Sequence, residues 1–263
     1  GLSERNVLDI NTPFGPTSAP LVIGSIGKTK VVFLPRHGIN HSLSPTEVPY
    51  KANIYALKSL GVERIVSMSA VGSLKIDICP LDVVVPDQII DRTTSRDTTF
   101  FKNGIVGHVN FANPFCPNLS HFLTSTAKKL KKPTHQGGSY VVIEGPQFST
   151  RAETEIYRSW GASIIGMTVL PEAKLAREAE MCYATMAFVT DYDSWYRPVE
   201  DVNAKMVVSN LKKNGTFAQK LMLALSSRPL AARDCRCSSA LESALMTNYA
   251  HVPIPTAKRL STI

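Results

Sequence analysis

Five short stretches of this 263-residue chain carry residue types that bind anions and flat polar rings, and each follows an apolar run. Pro35-Arg36-His37-Gly38 follows residues 31–34, Met68-Ser69-Ala70-Val71-Gly72-Ser73 follows 64–67, and Glu144-Gly145-Pro146-Gln147-Phe148-Ser149-Thr150 follows 139–143. Met167-Thr168 follows 163–166, and Thr190-Asp191-Tyr192-Asp193-Ser194-Trp195 follows 182–189. Arg36 offers a planar fork that pairs with an oxyanion, and His37 adds a second donor. Ser69 and Thr168 supply hydroxyls, and Gly72 lets backbone approach a ligand closely. Phe148 presents a flat face, while Asp191 and Asp193 can meet the polar edge of a ring. Singly, each has an ordinary reading: a surface Arg-His pair, a core phenylalanine, an Asp-x-Asp turn or cap. Their shared position reverses that reading, because ligands of open α/β sheets bind beyond the carboxyl ends of strands. Spacing alone supports one crevice for a phosphate plus a flat polar ligand, without the Walker pattern.

The elements that must carry these loops follow from periodicity. Runs at 21–23 and 31–34 read as an early strand pair, and 64–69, 82–85, 139–143, 163–167 and 182–190 as further strands. Helices are expected at 50–60 with Gly61 as the residue beyond its end, at 152–160, at 172–180 behind Pro171, and at 202–225. The run at 182–190 is almost free of charge, as a strand buried on both faces must be. This alternation predicts an α/β single domain, a mixed, largely parallel twisted sheet flanked by helices. The domain is drawn at residues 1–247. Residues 248–263 are read as a C-terminal tail, preceded by a short helix near 239–246.

Composition narrows the function classes. Hydrophobic residues make up 44% and charged residues 19%, which excludes disordered and coiled-coil chains. No run of eighteen apolar residues occurs, so no spanning helix and no membrane partner are expected. The net charge is +8. It is scattered, however, and Lys128-Lys129-Leu130-Lys131-Lys132 suits a helix C-terminus better than a nucleic-acid surface. Of five cysteines, Cys79, Cys116 and Cys182 stand alone in the sequence, and Cys235 and Cys237 form a Cys-x-Cys pair. Zinc takes four ligands and no second pair with histidine spacing exists, so no metal is expected. A disulfide at the Cys-x-Cys pair stays open, and a reduced cytoplasmic protein is the favoured reading.

At its loops the sequence resembles the trimeric purine-nucleoside phosphorylase family, in particular the 5′-methylthioadenosine phosphorylase branch. The resemblance rests on Thr12-Pro13-Phe14-Gly15, Arg36-His37-Gly38 with His41, Tyr50-Lys-Ala-Asn-Ile54 and Ile90-Asp-Arg-Thr-Thr94. It continues through Asn113-Pro-Phe-Cys-Pro117, Glu144-Gly-Pro-Gln-Phe-Ser149 and Gly166-Met-Thr168. Residues 171–180, and Cys235-Arg-Cys237 ahead of 240–245, are similar to bacterial and archaeal members. The resemblance implies the nucleoside phosphorylase fold and phosphorolysis of methylthioadenosine to adenine and 5-methylthioribose 1-phosphate. It implies no cofactor, since inorganic phosphate is a co-substrate.

Carried over by motif, Arg36, His37, Ser69, Ala70 and Thr168 would hold phosphate, and Met167 would meet the ribose hydroxyls. Phe148 would pack on the base, Ser149 would support the base site, and Tyr192 and Asp193 would belong to the substrate loop. Ala204 and Val208 would flank the methylthio group, with His108 reaching in from a neighbouring subunit of a homotrimer; a hexamer is the alternative assembly. Asp191, kept protonated in a desolvated pocket, would act as the catalytic acid at purine N7 and accept from the 6-amino group. Family members begin with a strand ending in a Gly-Gly-Ser/Thr-Gly turn, of which Gly1-Leu2 corresponds to the last part. The competing readings are a 6-oxopurine phosphorylase, disfavoured by aspartate at 191, and an inactive nucleoside-binding homologue.

Overall fold

The computed structural model describes residues 2–196, 204–227 and 232–263, with side chains from 208 onward in the second stretch. The chain opens with five strands, β1 (Ser3–Leu8), β2 (Asn11–Thr12), β3 (Gly15–Pro16), β4 (Leu21–Ile26) and β5 (Thr29–Phe33). Then follow α1 (Tyr50–Ser59), β6 (Arg64–Ser73), β7 (Val83–Val85), β8 (Gln88–Arg92), α2 (Pro117–Lys129), β9 (Thr134–Gln136) and β10 (Ser139–Ile143). The remainder is α3 (Arg151–Ser159), β11 (Ile164–Gly166), α4 (Glu172–Glu178), β12 (Cys182–Asp191), α5 (Ala204–Ser226) and α6 (Ile254–Arg259).

Seven strands form the central sheet in the order β8-β10-β11-β6-β12-β7-β9. It is mixed: β8, β10 and β11 run parallel to one another, as do β6 and β12, but the β11–β6 junction is antiparallel. The predicted pair at 21–23 and 31–34 exists as β4 and β5, yet it belongs to a separate three-stranded antiparallel sheet with β1. β1 carried no periodic signal because its residues are exposed along nearly their whole length.

β12 lies inside the sheet, next to the middle strand β6, and is buried at all ten positions. Side chains on a strand alternate between faces, and β12 divides its residues accordingly. Tyr183, Ala187 and Val189 join the cluster that α1 and α4 cover with Ile54, Leu57, Leu175 and Ala176. Cys182, Ala184, Met186 and Phe188 join the cluster that α2 and α5 cover with Leu119, Leu123, Leu221 and Leu225. Burying each leucine fully contributes about 1.5–3 kcal/mol, so these two layers fix β12 from both sides.

Helix boundaries follow local chemistry. Gly61, at φ 74°, takes the left-handed position beyond α1. Thr150 caps α3 in a reciprocal box with Glu153, which fixes the chain directly after the Phe148-Ser149 loop. The long helix extends to Ser226, and its expected first residues, 202 and 203, lie outside the described residues. The expected helix near 239–246 is instead a 3-10 turn at Arg236–Ser239 followed by turns. Beyond it, α6 was not anticipated. Residues 252–263 pack with Val252 and Ile263 on the cluster around Phe101 and Ile105.

Candidate active site

Antiparallel pairing at the β11–β6 junction decides the shape of the site. The sequence placed all five loops at one common carboxyl edge, but β11 runs against β6, with Ile164 opposite Ser73 and Ile165 opposite Gly72. The chain leaving β11 therefore returns alongside the middle of β6. Arg36 and His37 arrive from β5 of the small sheet, not from the main one. The crevice consequently runs along the β6–β11 seam, and β6 contributes residues over a length. Ser69 and Gly72 are three residues apart, about 10 Å at 3.3 Å per residue, a span that suits a nucleoside with a phosphate at one end.

The anion end is built around Arg36. Its Nη2 donates to Ser67 Oγ at 2.8 Å and to the Met68 carbonyl at 3.1 Å. Its Nε lies 3.6 Å from Glu172, which also accepts a 2.6 Å hydrogen bond from the Tyr183 hydroxyl. These contacts hold the guanidinium while Nη1 is buried without a partner. Ser69 Oγ and the hydroxyl of Tyr140, which pairs with Ile164 of β11, are likewise buried; they make no well-formed hydrogen bond, though the two lie close enough to interact with each other. Each unsatisfied buried polar atom costs about 1–3 kcal/mol, and native proteins hold few of them. Four of the six among the described residues are Arg36 Nη1, Ser69 Oγ, Tyr140 OH and Ser149 Oγ. An anion with several acceptor oxygens would satisfy the donors among them.

His37 Nδ1 meets the Leu43 carbonyl at 2.9 Å, and its ring stacks on His41 at 4.3 Å. Burial lowers its pKa, opposed by the Leu43 hydrogen bond. A neutral ring that donates from Nδ1 leaves Nε2 as the free nitrogen. Thr168 is buried and Ala70 is exposed on its strand. Gly166 leaves room beside them for the Tyr140 hydroxyl, which a Cβ there would displace.

The far end holds two buried carboxyls. Asp191 Oδ1 accepts the Asp193 backbone N–H at 2.8 Å, and Oδ2 lies 2.7 Å from Thr190 Oγ1. Asp193 Oδ2 lies 2.7 Å from Thr154 Oγ1 on α3. Burial raises the pKa of Asp191, and burial with the nearby Asp191 charge raises that of Asp193 to about 6. Gly72 lets the strand pass close to both carboxyls, since an added Cβ would fall 3.0 Å from Asp191 Oδ1 and 3.1 Å from Asp193 Cβ, tighter than ordinary van der Waals contact. Ser194 Oγ donates to the Ser149 carbonyl at 2.9 Å, and Trp195 Nε1 donates to the Ser73 carbonyl at 2.7 Å. The loops after β10 and β12 are thereby joined, with Ser149 buried and Phe148 left 43% exposed.

Other expected residues fall at the margins. Met167 is half-buried and packs against Gly145, and Tyr192 is half-buried with its ring tilted against that of Tyr196. Val208 on α5 is exposed, and the side chain of Ala204 lies outside the described residues. His108 is exposed on the segment between β8 and α2, where its backbone N–H donates to the Ala244 carbonyl.

Sequence reasoning missed Arg96. Its side chain is 1% exposed and donates to the carbonyls of Met167, Leu170, Ile143 and Glu144 and to the Glu144 carboxylate. One guanidinium thus pins the loops after β10 and β11. The signal was the polar stretch Ser95-Arg96-Asp97, which follows β8, a strand whose polar ends hid it.

A mixed sheet covered on both faces, with an anion end and a base end along one internal seam, defines a nucleoside phosphorylase fold. The model of the phosphorylase superfamily matches residues 2–227, and the chain belongs to that superfamily. Within it, the chain falls among the S-methyl-5′-thioadenosine phosphorylases. It is 47% identical to the S-methyl-5′-thioadenosine phosphorylase of Geobacter sulfurreducens, over 100% of this chain and 92% of that one. A crystal structure of a methylthioadenosine phosphorylase from an antarctic soil metagenomic library superposes with a TM-score of 0.93 at 45% identity, covering 99% of this chain and 92% of that one. An adenosine/methylthioadenosine phosphorylase variant of Schistosoma mansoni, solved with adenine, gives 0.83 at 36% identity, covering 86% and 87%.

Proposed function

We propose that the protein cleaves 5′-methylthioadenosine by phosphorolysis, yielding adenine and 5-methylthioribose 1-phosphate. The observation that carries this reading is the buried Asp191 carboxyl, raised in pKa and paired with Gly72 three residues along β6 from Ser69, in a chain that also buries an unpaired Arg36 Nη1. Breaking the N-glycosidic bond leaves negative charge on the purine and positive charge on the ribose. Asp191 gives its proton to N7 as the C1′–N9 bond opens, and phosphate oxygen then bonds to C1′. The carboxylate recovers a proton from solvent. Phosphate, held by Arg36, His37, Ser69, Ala70 and Thr168, stabilises the cationic carbon before capturing it.

The same carboxyl explains base choice. Adenine offers an N7 acceptor and a 6-amino donor, which match the O–H and C=O of a protonated Asp191. A 6-oxopurine sets a second acceptor against the carboxyl oxygen. Phe148 and Ser149 serve the base, Tyr192 and Asp193 frame its loop, Met167 serves the ribose, and Ala204 and Val208 serve the methylthio group. We assign a homotrimeric assembly, supported by His108, which is exposed on its own chain and free to complete a neighbour's site. The reaction uses phosphate as co-substrate and no cofactor. The cytoplasm is the compartment assigned; among the described residues no helix is long and apolar enough to cross a membrane.

The test is nucleobase release from methylthioadenosine and inosine side by side, with and without phosphate. Adenine release that requires phosphate, with inosine untouched, is the expected result. Inosine cleavage at a comparable rate would overturn the assignment of Asp191 to base selection.

A further inference from the structure

Four of the five cysteines, scattered in sequence, meet in space. Cys116, Cys182, Cys235 and Cys237 place their sulfur atoms all within 4.8 Å of one another, and three of the four residues are buried. This corrects the sequence-level expectation that Cys116 and Cys182 stand alone and that a four-ligand set is lacking. We propose that these four thiols form a structural site for a single zinc ion.

The geometry suits a tetrahedron. Zinc–sulfur bonds of about 2.3 Å place thiolate sulfurs about 3.8 Å apart. Here Cys182 and Cys235 stand at 3.3 Å, every other pair lies within 4.8 Å, and all four are free thiols. They form one compact tetrad in which Cys182 and Cys235 are in direct contact. An all-sulfur, tetrahedral, water-poor donor set selects zinc over magnesium or calcium, which take oxygen ligands.

Each ligand is held by rigid backbone. Cys116 caps the N-terminus of α2, and its N–H donates to the Tyr183 carbonyl at 2.8 Å. Cys182 begins β12, and its N–H donates to the Glu63 carbonyl at 2.9 Å. The Cys-x-Cys pair is brought in by the C-terminal segment. That segment is tied to the core by Arg233 Nη1 on the Glu180 carbonyl at 2.8 Å and the Leu241 N–H on Glu180 Oε1 at 3.0 Å.

Zinc displaces four thiol protons to solvent and leaves a site of net charge −2. Arg64 is the register partner of Cys182 on β6, Arg236 lies between the paired cysteines, and Arg233 precedes them. A helix N-terminus favours thiolate at Cys116. The site joins the C-terminal segment to β12 and α2. It lies nine residues from Asp191 along β12, about 30 Å, so its role is in stability and not in catalysis.

The experiment measures metal content of the full chain, purified under reducing conditions without chelator, then stripped and reloaded with Zn²⁺ alone. One zinc per chain is expected, released as a mercurial titrates four thiols beyond the exposed Cys79. Cys79→Ser retains the metal. Cys235→Ser loses it and melts at lower temperature while still releasing adenine. Should that variant fail to fold, Co²⁺ added to the stripped wild-type chain supplies a second reading. The intense visible absorption of a tetrahedral cobalt thiolate supports the site. Absence of that absorption, sub-stoichiometric zinc after reloading, or a mass lower by four hydrogens, as two disulfides would give, overturns it.

Discussion

Thr190 Oγ1 stands 2.7 Å from Asp191 Oδ2 and 3.2 Å from the Val71 carbonyl, so one hydroxyl proton faces two acceptors. When Thr190 donates to Val71, the short contact to Asp191 needs a proton from the carboxyl itself. Thr154 repeats the arrangement, lying 2.7 Å from Asp193 Oδ2 and 3.1 Å from the Thr150 carbonyl. Each threonine hydrogen bond lowers the pKa of its aspartate, and burial, the larger effect, raises it. A protonated carboxyl is the species that can donate to a purine N7, and burial moves Asp191 toward that form.

Asp191→Asn keeps the size and the Asp193 N–H contact but removes the transferable proton. Methylthioadenosine kcat/KM should fall by about 10²–10⁴-fold, the usual contribution of a general acid. Thermal unfolding should shift little. Steady-state assays with a melting curve check both, and an unchanged kcat/KM would remove Asp191 from the acid role.

The pH dependence of stability has a defined sign at Asp193. Its carboxyl titrates at about 6 when folded, against an ordinary value of 3.8. The stability tied to its neutral form is therefore complete below about 3.8 and is lost as pH rises through about 6. Relative to Asp193→Asn, the wild-type chain should lose up to about 3 kcal/mol over that window, then run parallel to the variant. Urea unfolding of both chains at a series of pH values measures the difference.

Arg36→Gln should raise the KM for phosphate by about 10–100-fold, the loss of a charge-assisted hydrogen bond of roughly 1.5–3 kcal/mol. The nucleoside KM should change far less. The variant should also be less stable, because Glu172 loses its cation in a buried setting. Varying each substrate at saturation of the other separates the two KM values.

Phe148→Ala should raise the nucleoside KM more than it lowers kcat. The ring is 43% exposed in the free protein and gains its burial from the base. The same steady-state assay reads the split, and a kcat effect exceeding the KM effect would assign the ring to transition-state positioning.

Much of this was legible in the sequence because it depends on local periodicity. β12 could be found from an unbroken apolar run, and α3 from its amphipathic pattern and the threonine that caps it. The anion and base residues could be grouped because each follows a strand. The direction of β11 could not be read, since three residues of strand do not state which way they pair. That direction turns a common edge into an internal seam. Arg96 was hidden for a related reason: it donates to carbonyls of two loops that are distant in the sequence. The cysteine tetrad depends on bringing residues 116, 182, 235 and 237 together, a property of topology rather than spacing.

The central claim is that phosphate, not water, receives the sugar. Phosphorus NMR of the wild-type chain with methylthioadenosine and inorganic phosphate tests it directly, with adenine followed in parallel. The account predicts a sugar 1-phosphate resonance that grows in step with adenine while inorganic phosphate declines equally. Adenine formed with free methylthioribose and no loss of phosphate would contradict it.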